Sequence, residues 1–138
     1  MIVFLHTPQL FAQGDSISVL IDNLGSKDID VRKSAIIPLC KIHDDRAFNA
    51  LINSMHYDES MEIRLDIIVQ MGRNKEQRAI DALVKMMNNE IDSDYGICAT
   101  EALCKIGGDV VVDNMIKRLK NKNNWGVRVA IIHSLGIL

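Results

Sequence analysis

The 138-residue sequence has few of the features that mark a membrane protein, a disulfide scaffold or a disordered chain. Its uninterrupted aliphatic and aromatic stretches, such as residues 2–5, last only a few residues, whereas a bilayer-spanning helix needs about 20. Three cysteines without metal-like spacing favour a reducing compartment. With 48% hydrophobic and 25% charged residues, the composition is that of a globular protein. We therefore predict a cytoplasmic protein without a membrane span.

Charge of one sign is not in excess either. Sixteen lysines and arginines against 18 acidic residues give a formal net charge of −2. Phosphate binding relies on a concentrated basic surface, so this balance argues against nucleic acid as the main partner. The short basic run over residues 117–122 is interpreted as the solvated end of a helix, where cations complement the helix dipole.

What the sequence does contain is an internal repeat of 32 residues. Segments starting at Val31, Ile63, Tyr95 and Val127 align without gaps, and an earlier apolar segment precedes each of them. Both segments of each unit show the period of an amphipathic helix, and no segment alternates as a strand does. The pattern predicts an all-α solenoid of about four antiparallel helix pairs, with units at about 14–43, 44–74, 75–107 and 108–138.

The two ends differ from the repeat. Thr7 and Pro8 are typical of an N-cap followed by a first-turn proline, so residues 1–13 are predicted to be an N-terminal segment or capping helix before a repeat array at 14–138. The apolar residues 135–138 lack the polar closing unit of a solenoid. This absence indicates either burial in a homodimer or continuation of the array.

The repeated residues resemble a known family. An apolar residue followed by arginine begins three of the second segments, and glycine follows an apolar residue where three of them end. These dipeptides are Val31-Arg32, Ile63-Arg64, Val127-Arg128, Met71-Gly72, Ile106-Gly107 and Leu135-Gly136. They are similar to the HEAT-like repeats of the phycobilisome-lyase class. The resemblance implies a right-handed α-α superhelix whose second helices line the concave side. The third unit departs from the pattern, with Tyr95-Gly96 in place of Val-Arg.

Two positions of each second helix project away from the predicted core, namely the second and sixth residues after the start of the repeat. Five of these eight residues are aliphatic, and a large exposed apolar patch marks an interaction site. We predict a non-catalytic scaffold that binds a protein partner through this strip, with self-association or cover by another segment of the chain as alternatives. The strip residues are Lys33, Ile37, Leu65, Val69, Ile97, Glu101, Val129 and His133.

One position of the repeat carries an arginine in three of the four units: Arg32, Arg64 and Arg128. These side chains either face an anionic ligand or form a structural ladder that bonds the carbonyls and acidic residues of nearby turns. The planar guanidinium group suits the second role, which is the favoured interpretation.

Motifs for catalysis are absent from the sequence. The four histidines form neither the repeated His-Glu pairs of HEAT-like di-iron hydroxylases nor a His-Glu-x-x-His motif. Cys98 and Cys104 are six residues apart and point to different sides of one helix. We predict no enzyme activity, metal or cofactor. The family resemblance implies one alternative, an accessory subunit of a bilin lyase, and less favourably a HEAT-like protein that binds nucleic acid.

Overall fold

Eight α-helices and one 3-10 helix form the fold in the computed structural model, which describes residues 9–89, 93–120, 125–134 and 136. The helices are α1 (Gln9–Leu24), α2 (Ile29–Cys40), α3 (Asp45–Tyr57), α4 (Met61–Arg73), the 3-10 helix η1 (Gln77–Ala79), α5 (Ile80–Asn89), α6 (Asp94–Ile106), α7 (Asp109–Leu119) and α8 (Trp125–Ser134). Within these residues there is no β-strand. The predicted all-α helical solenoid is confirmed. No helix in this part of the chain has the length and hydropathy to cross a membrane.

The helices form two rows. Consecutive helices pair as α1–α2, α3–α4, α5–α6 and α7–α8, and the second members also pack side by side in the order α2, α4, α6, α8. Contacts along this row are more extensive than those along the row of first helices, α1, α3, α5 and α7. A stack that is tighter on one side curves toward that side, so the second helices form the inner row and the first helices the outer row.

The core follows the 32-residue register of the sequence. On the inner row, Ala35, Ile67, Ala99 and Ile131 are each completely buried. All four belong to one hydrophobic core that extends through the units. The 32-residue spacing of apolar residues in the sequence therefore matches the spacing of residues that are buried in the core.

Polar residues of the turns begin several helices, as the sequence predicts. The side chain of Asp28 accepts a hydrogen bond from the amide of Asp30 at 2.8 Å, and Asp44 does the same for Arg46 at the start of α3. These contacts satisfy amides that have no partner within the helix. Capping hydrogen bonds thus determine where these helices begin, and packing between helices determines how they are arranged in rows.

The N-terminal boundary differs from the prediction. Residues 1–8 lie outside the described residues, but α1 begins at Gln9 and continues through Gly14 and Asp15 to Leu24. Residues 9–13 are therefore the start of α1 and not a separate capping helix. A glycine inside a helix costs only about 1 kcal/mol, and the burial of Ile17 and Leu24 on the same helix offsets that cost.

Two inner-row helices, α4 and α6, approach each other closely at Gly72. A Cβ atom added to this buried glycine would lie 2.7 Å from Cα and 2.9 Å from Cβ of Ala102. Because the nearest of these atoms belongs to the backbone, the side chains cannot relieve the overlap by rotation. Gly72 is thus required by the spacing between the second and third units.

We expect Gly72→Ala to lower the free energy of unfolding by about 1 kcal/mol or more, because overpacking costs about 1–3 kcal/mol and exceeds the helix preference of alanine. Urea unfolding followed by circular dichroism measures the change. Gly25→Ala is the matched control, since its added Cβ would lie 3.5 Å from the carbonyl oxygen of Asp22. Equal stability of the two variants would contradict the close approach.

Candidate protein-interaction surface

Three of the four strip residues at the sixth position of the repeat are exposed on the inner row. Ile37 is 50% exposed, Glu101 and His133 are exposed, and Val69 is half-buried. They occupy the sixth position of the repeat in the four units. On α2 the neighbouring Ile36 is 2% exposed, so the boundary between the buried and the exposed face of this helix lies between Ile36 and Ile37.

The other four residues stand at the second position of the repeat, and three of them are half-buried. The ammonium group of Lys33 on α2 donates to the carboxylate of Glu62 on α4. Leu65 is half-buried and packs against the core, and Ile97 is also half-buried. Val129 on α8 is 37% exposed. Exposure thus varies along the predicted strip: Ile37, Glu101, Val129 and His133 are exposed, and Lys33, Leu65, Val69 and Ile97 are half-buried.

A groove of about 310 Å³ between α6 and α8 extends the open surface. It is lined by Glu101, Cys104, Lys105, His133 and Ser134. The lining contains a carboxylate, an ammonium group and an imidazole. Such a mixture suits polar contacts with a peptide segment better than the binding of an ion of one sign.

The first arginine of the ladder is bound by protein groups. Arg32 is buried, and its Nη1 donates to the carbonyl oxygens of Ser26 at 2.8 Å and Lys27 at 3.3 Å. Its Nε lies 3.1 Å from Oδ2 of Asp58, which belongs to the next unit and is equally buried. Arg32 therefore closes the turn of its own unit and ties it to the second unit. The acidic partner is Asp58 and not one of the acidic residues closest to Arg32 in the sequence.

The second arginine makes a similar link by different chemistry. The Nε of Arg64 donates to the carbonyl oxygen of Met55 at 3.1 Å, and its guanidinium carbon lies 3.9 Å from the ring centroid of Tyr95. Tyr95, which departs from the Val-Arg pattern, thus provides the aromatic ring for a cation–π contact with an arginine of the preceding unit. The buried Nε of Arg128, like that of Arg32, makes no hydrogen bond of good geometry within the described residues.

Comparison with known families agrees with this geometry. The family model described as HEAT repeats matches residues 17–104, which is more than half of the chain. The chain belongs to the HEAT repeat family. No curated protein matches it. HEAT repeats generally serve as scaffolds for protein interaction and are typically non-catalytic.

A functional residue of the HEAT stack that the sequence analysis missed is Arg118 on α7. It is buried, and its Nη2 donates to the carbonyl oxygen of Met87 at 3.1 Å. Met87 stands 32 residues after Met55, the acceptor of Arg64, while Gly96 stands at the position of the missing arginine. Arg118 therefore donates to the equivalent carbonyl, but from the first helix of the following unit. The interpretation of residues 117–122 as a solvated run is wrong at Arg118, which is buried. The glycine at position 96, where the repeat would place an arginine, was the signal in the sequence that another residue must donate to this carbonyl.

The outer row of the HEAT stack has its own link between units. The guanidinium carbon of Arg78 lies 4.3 Å from the ring centroid of Phe48, and the group also contacts Glu76 at 2.9 Å and Asp45 at 3.1 Å. The hydrogen bond to Arg78 holds the pKa of Glu76 below its ordinary value. Arg78 thus covers the face of α3 that is turned toward the third unit.

The thiols have the properties of packing residues. Burial raises the pKa of Cys40 to about 12 and that of Cys98 to about 11. Burial also raises the pKa of Cys104 in the inner groove, although a hydrogen bond with Ser134 acts in the opposite sense. In the described part of the chain, no group of three or more histidine, cysteine and acidic side chains is placed to hold a metal ion.

Replacing Arg118 is expected to destabilise the fold. Arg118→Met leaves the buried carbonyl of Met87 without this donor, which costs about 1–3 kcal/mol in the free energy of unfolding. The matched control is Lys117→Met, because Lys117 is the exposed neighbour on the same helix, and it should change stability by less than about 0.5 kcal/mol. Chemical unfolding of both variants measures the difference. Identical unfolding midpoints for the two variants would show that the hydrogen bond of Arg118 does not contribute to stability.

The three cysteines are expected to react slowly in the folded protein. A rise of one in pKa lowers the thiolate fraction tenfold, and the thiolate is the reactive form. Labelling by iodoacetamide at pH 7.5 should therefore be at least about a hundredfold slower for native Cys40 and Cys98 than for the urea-unfolded chain. Peptide mass spectrometry gives the rate for each residue. Rapid native labelling of either thiol would contradict its assignment as a packing residue.

Proposed function

We propose that this HEAT-repeat chain is a non-catalytic scaffold that binds a protein partner on the open surface of its inner row. The surface consists of Ile37, Val69, Glu101 and His133, together with the groove between α6 and α8. The observation that carries the proposal is the 50% exposure of Ile37. Ile37 stands at the same position of the repeat as Val69, Glu101 and His133, and a row that combines aliphatic and charged side chains suits a protein partner.

The spacing of the surface favours a helical partner. Packed helices lie about 8–10 Å apart, so the four positions span roughly 24–30 Å along the inner row. A helix of about 16–20 residues has this length, and residues seven apart on it recur every 10.5 Å or so on one face. The partner would meet aliphatic side chains at the end of the row near α2, and charges of both signs at the end near α8.

Two alternatives from the sequence stay as weaker proposals. An accessory role in a bilin lyase rests on the resemblance to phycobilisome-lyase repeats, and a bilin titration without an absorbance change would remove it. Nucleic-acid binding would need free cations and a steep salt dependence. Two of the cations available to it are engaged, since Lys33 pairs with Glu62 and Arg118 is buried.

A double substitution on the inner row tests the proposed function. Ile37→Asp with Glu101→Lys changes two exposed residues, so the fold should persist while partner affinity falls at least about tenfold, as for central interface residues. The partner is identified by affinity capture from the source cells and its dissociation constant measured by calorimetry. Leu65 and Ile97 are less suitable sites because both are half-buried.

Val19→Asp on the outer row is the matched control, since Val19 is 55% exposed and lies on the opposite row. It should bind the partner as the unchanged chain does. If the folded double variant captures the same protein with the same affinity, the inner row is not the docking surface.

A further inference from the structure

Basic side chains recur at one position of the inner row, ten residues after the start of the repeat. They are Lys41 directly after α2, Arg73 in the last turn of α4 and Lys105 in the last turn of α6. All three are exposed. Because Lys105 lines the groove between α6 and α8, this position belongs to the open side of the row. We call these three residues the cationic edge.

Carboxylates of the chain do not neutralise the cationic edge. Within the described ranges, no salt bridge involves any of its three residues. In the turn after α2, Asp44 is held by Arg46 at 3.1 Å, and in the turn after α4, Glu76 is held by Arg78 at 2.9 Å. The turn after α6 consists of the glycines 107 and 108. The three charges are therefore available to another molecule.

The helix dipole alone does not account for this pattern. It favours a cation in the last turn of any helix, yet the outer-row helices α1 and α5 have no basic residue there. The chain as a whole carries a net charge of −2. A cation at one position of three successive units is therefore a property of the inner surface and not of helix ends or of the composition.

The opposite edge of the same surface is apolar. The first residues of α2, α4 and α8 are Ile29, Met61 and Trp125, which are 37%, 44% and 75% exposed. They precede the second position of the repeat by four residues, and the sixth and tenth positions follow it at the same interval, so all four lie on one side of each helix. Along each helix the surface thus changes from apolar side chains to positive charge.

We propose that the partner of the inner row is an acidic amphipathic helix whose apolar face covers the middle of the surface and whose carboxylates pair with the cationic edge. This inference rests on the proposed function, because it assigns the chemistry of the partner at the same surface. The edge lies one turn, about 6 Å, beyond the sixth position of the repeat. A helix of about 10 Å diameter that lies over the second and sixth positions therefore has one flank above the edge.

The spacing of the cations fixes the direction of the partner helix and a feature of its sequence. Packed helices lie about 8–10 Å apart, so adjacent cations of the edge are separated by a similar distance. Residues seven apart on a helix recur every 10.5 Å or so. A helix that runs along the row thus meets Lys41, Arg73 and Lys105 with acidic residues at three positions seven apart.

The surface fits a protein segment better than a phosphate-bearing target. A nucleic acid backbone would pair with the cations but would leave Ile37 and Met61 without an apolar contact, and it would approach the carboxylate of Glu101. A flat membrane would contact the two ends of an inward-curving row before it reached the middle. A helix with an apolar face and an acidic flank matches both parts of the surface.

Two synthetic helical peptides of about 21 residues test the charge of the partner. Both have leucines along one face. Beside that face, one has glutamate and the other glutamine at three positions seven apart. Fluorescence anisotropy of the labelled peptides gives the two dissociation constants. We expect the glutamate peptide to bind about tenfold more tightly, because three exposed ion pairs each contribute a few-fold at most, and the difference should disappear at high salt.

Replacing the cationic edge tests the location. Lys41→Gln, Arg73→Gln and Lys105→Gln in one chain should abolish the preference for glutamate and leave the affinity for the glutamine peptide unchanged. The control changes the net charge equally at three exposed lysines of the outer-row helix α5 and the end of α7, and it should keep the preference. Circular dichroism verifies the fold of both variants. The control substitutions are Lys85→Gln, Lys117→Gln and Lys120→Gln.

Four results would overturn the inference. The first is a glutamate peptide that does not bind up to millimolar concentration, and the second is equal affinity for the two peptides. The third is a preference that the edge variant keeps or that the outer-row control loses. The fourth is binding of phosphatidylserine vesicles or a DNA duplex through the edge without binding of the peptide, which would assign the edge to phosphate groups.

The proposed function and this inference fail in different ways. A natural partner that the double substitution on the inner row releases, but that the edge variant binds with unchanged affinity, would leave the proposed function intact and remove the acidic helix. The peptide measurements need no natural partner, so a failure of the capture experiment does not alter them.

Discussion

Side-by-side packing of the second helices is the interaction on which the rest of the structure depends. A single helix pair cannot enclose the apolar stripe of its second helix, and the neighbouring units complete the burial of residues such as Ile67 and Ala99. The contact is close enough at Gly72 and Ala102 to exclude one methyl group. Stability is therefore shared along the stack, and residues on the open side of the inner row are held at fixed spacing by a packed core.

Polar links between units vary although the core repeats strictly. Arg32 uses a carboxylate, Arg64 uses an aromatic ring, and Arg118 reaches a carbonyl from the following unit. What stays the same is a guanidinium group that donates to carbonyl groups in the last turn of a first helix or in the loop after it. Since several side chains can meet that need, Tyr95 and Gly96 can replace Val-Arg without loss of the stack.

The fold was predictable because residues that are buried at a fixed spacing must be apolar, and this spacing can be recognised in the sequence. The surface was less predictable, because it depends on how closely neighbouring helices approach. The second and sixth positions of the repeat, as at Leu65 and Val69, differ by only about 40° around the helix, and packing of the neighbouring helices decides how far each side chain is buried. Arg118 was missed because a charged run resembles a solvated helix end until tertiary packing buries one member.

In the part of the chain that the structure describes, the contacts of the arginines and the burial of the thiols favour a binding role over a catalytic one. Arg32, Arg64 and Arg118 are occupied by carbonyls, a carboxylate and a ring. Burial keeps the thiols protonated by raising their pKa. The groups that remain accessible are aliphatic side chains and charges of both signs at regular intervals. The inner row proposed as a docking surface offers an exposed isoleucine on α2 and charges of both signs near α8, a mixture of apolar and polar groups that suits contact with a protein.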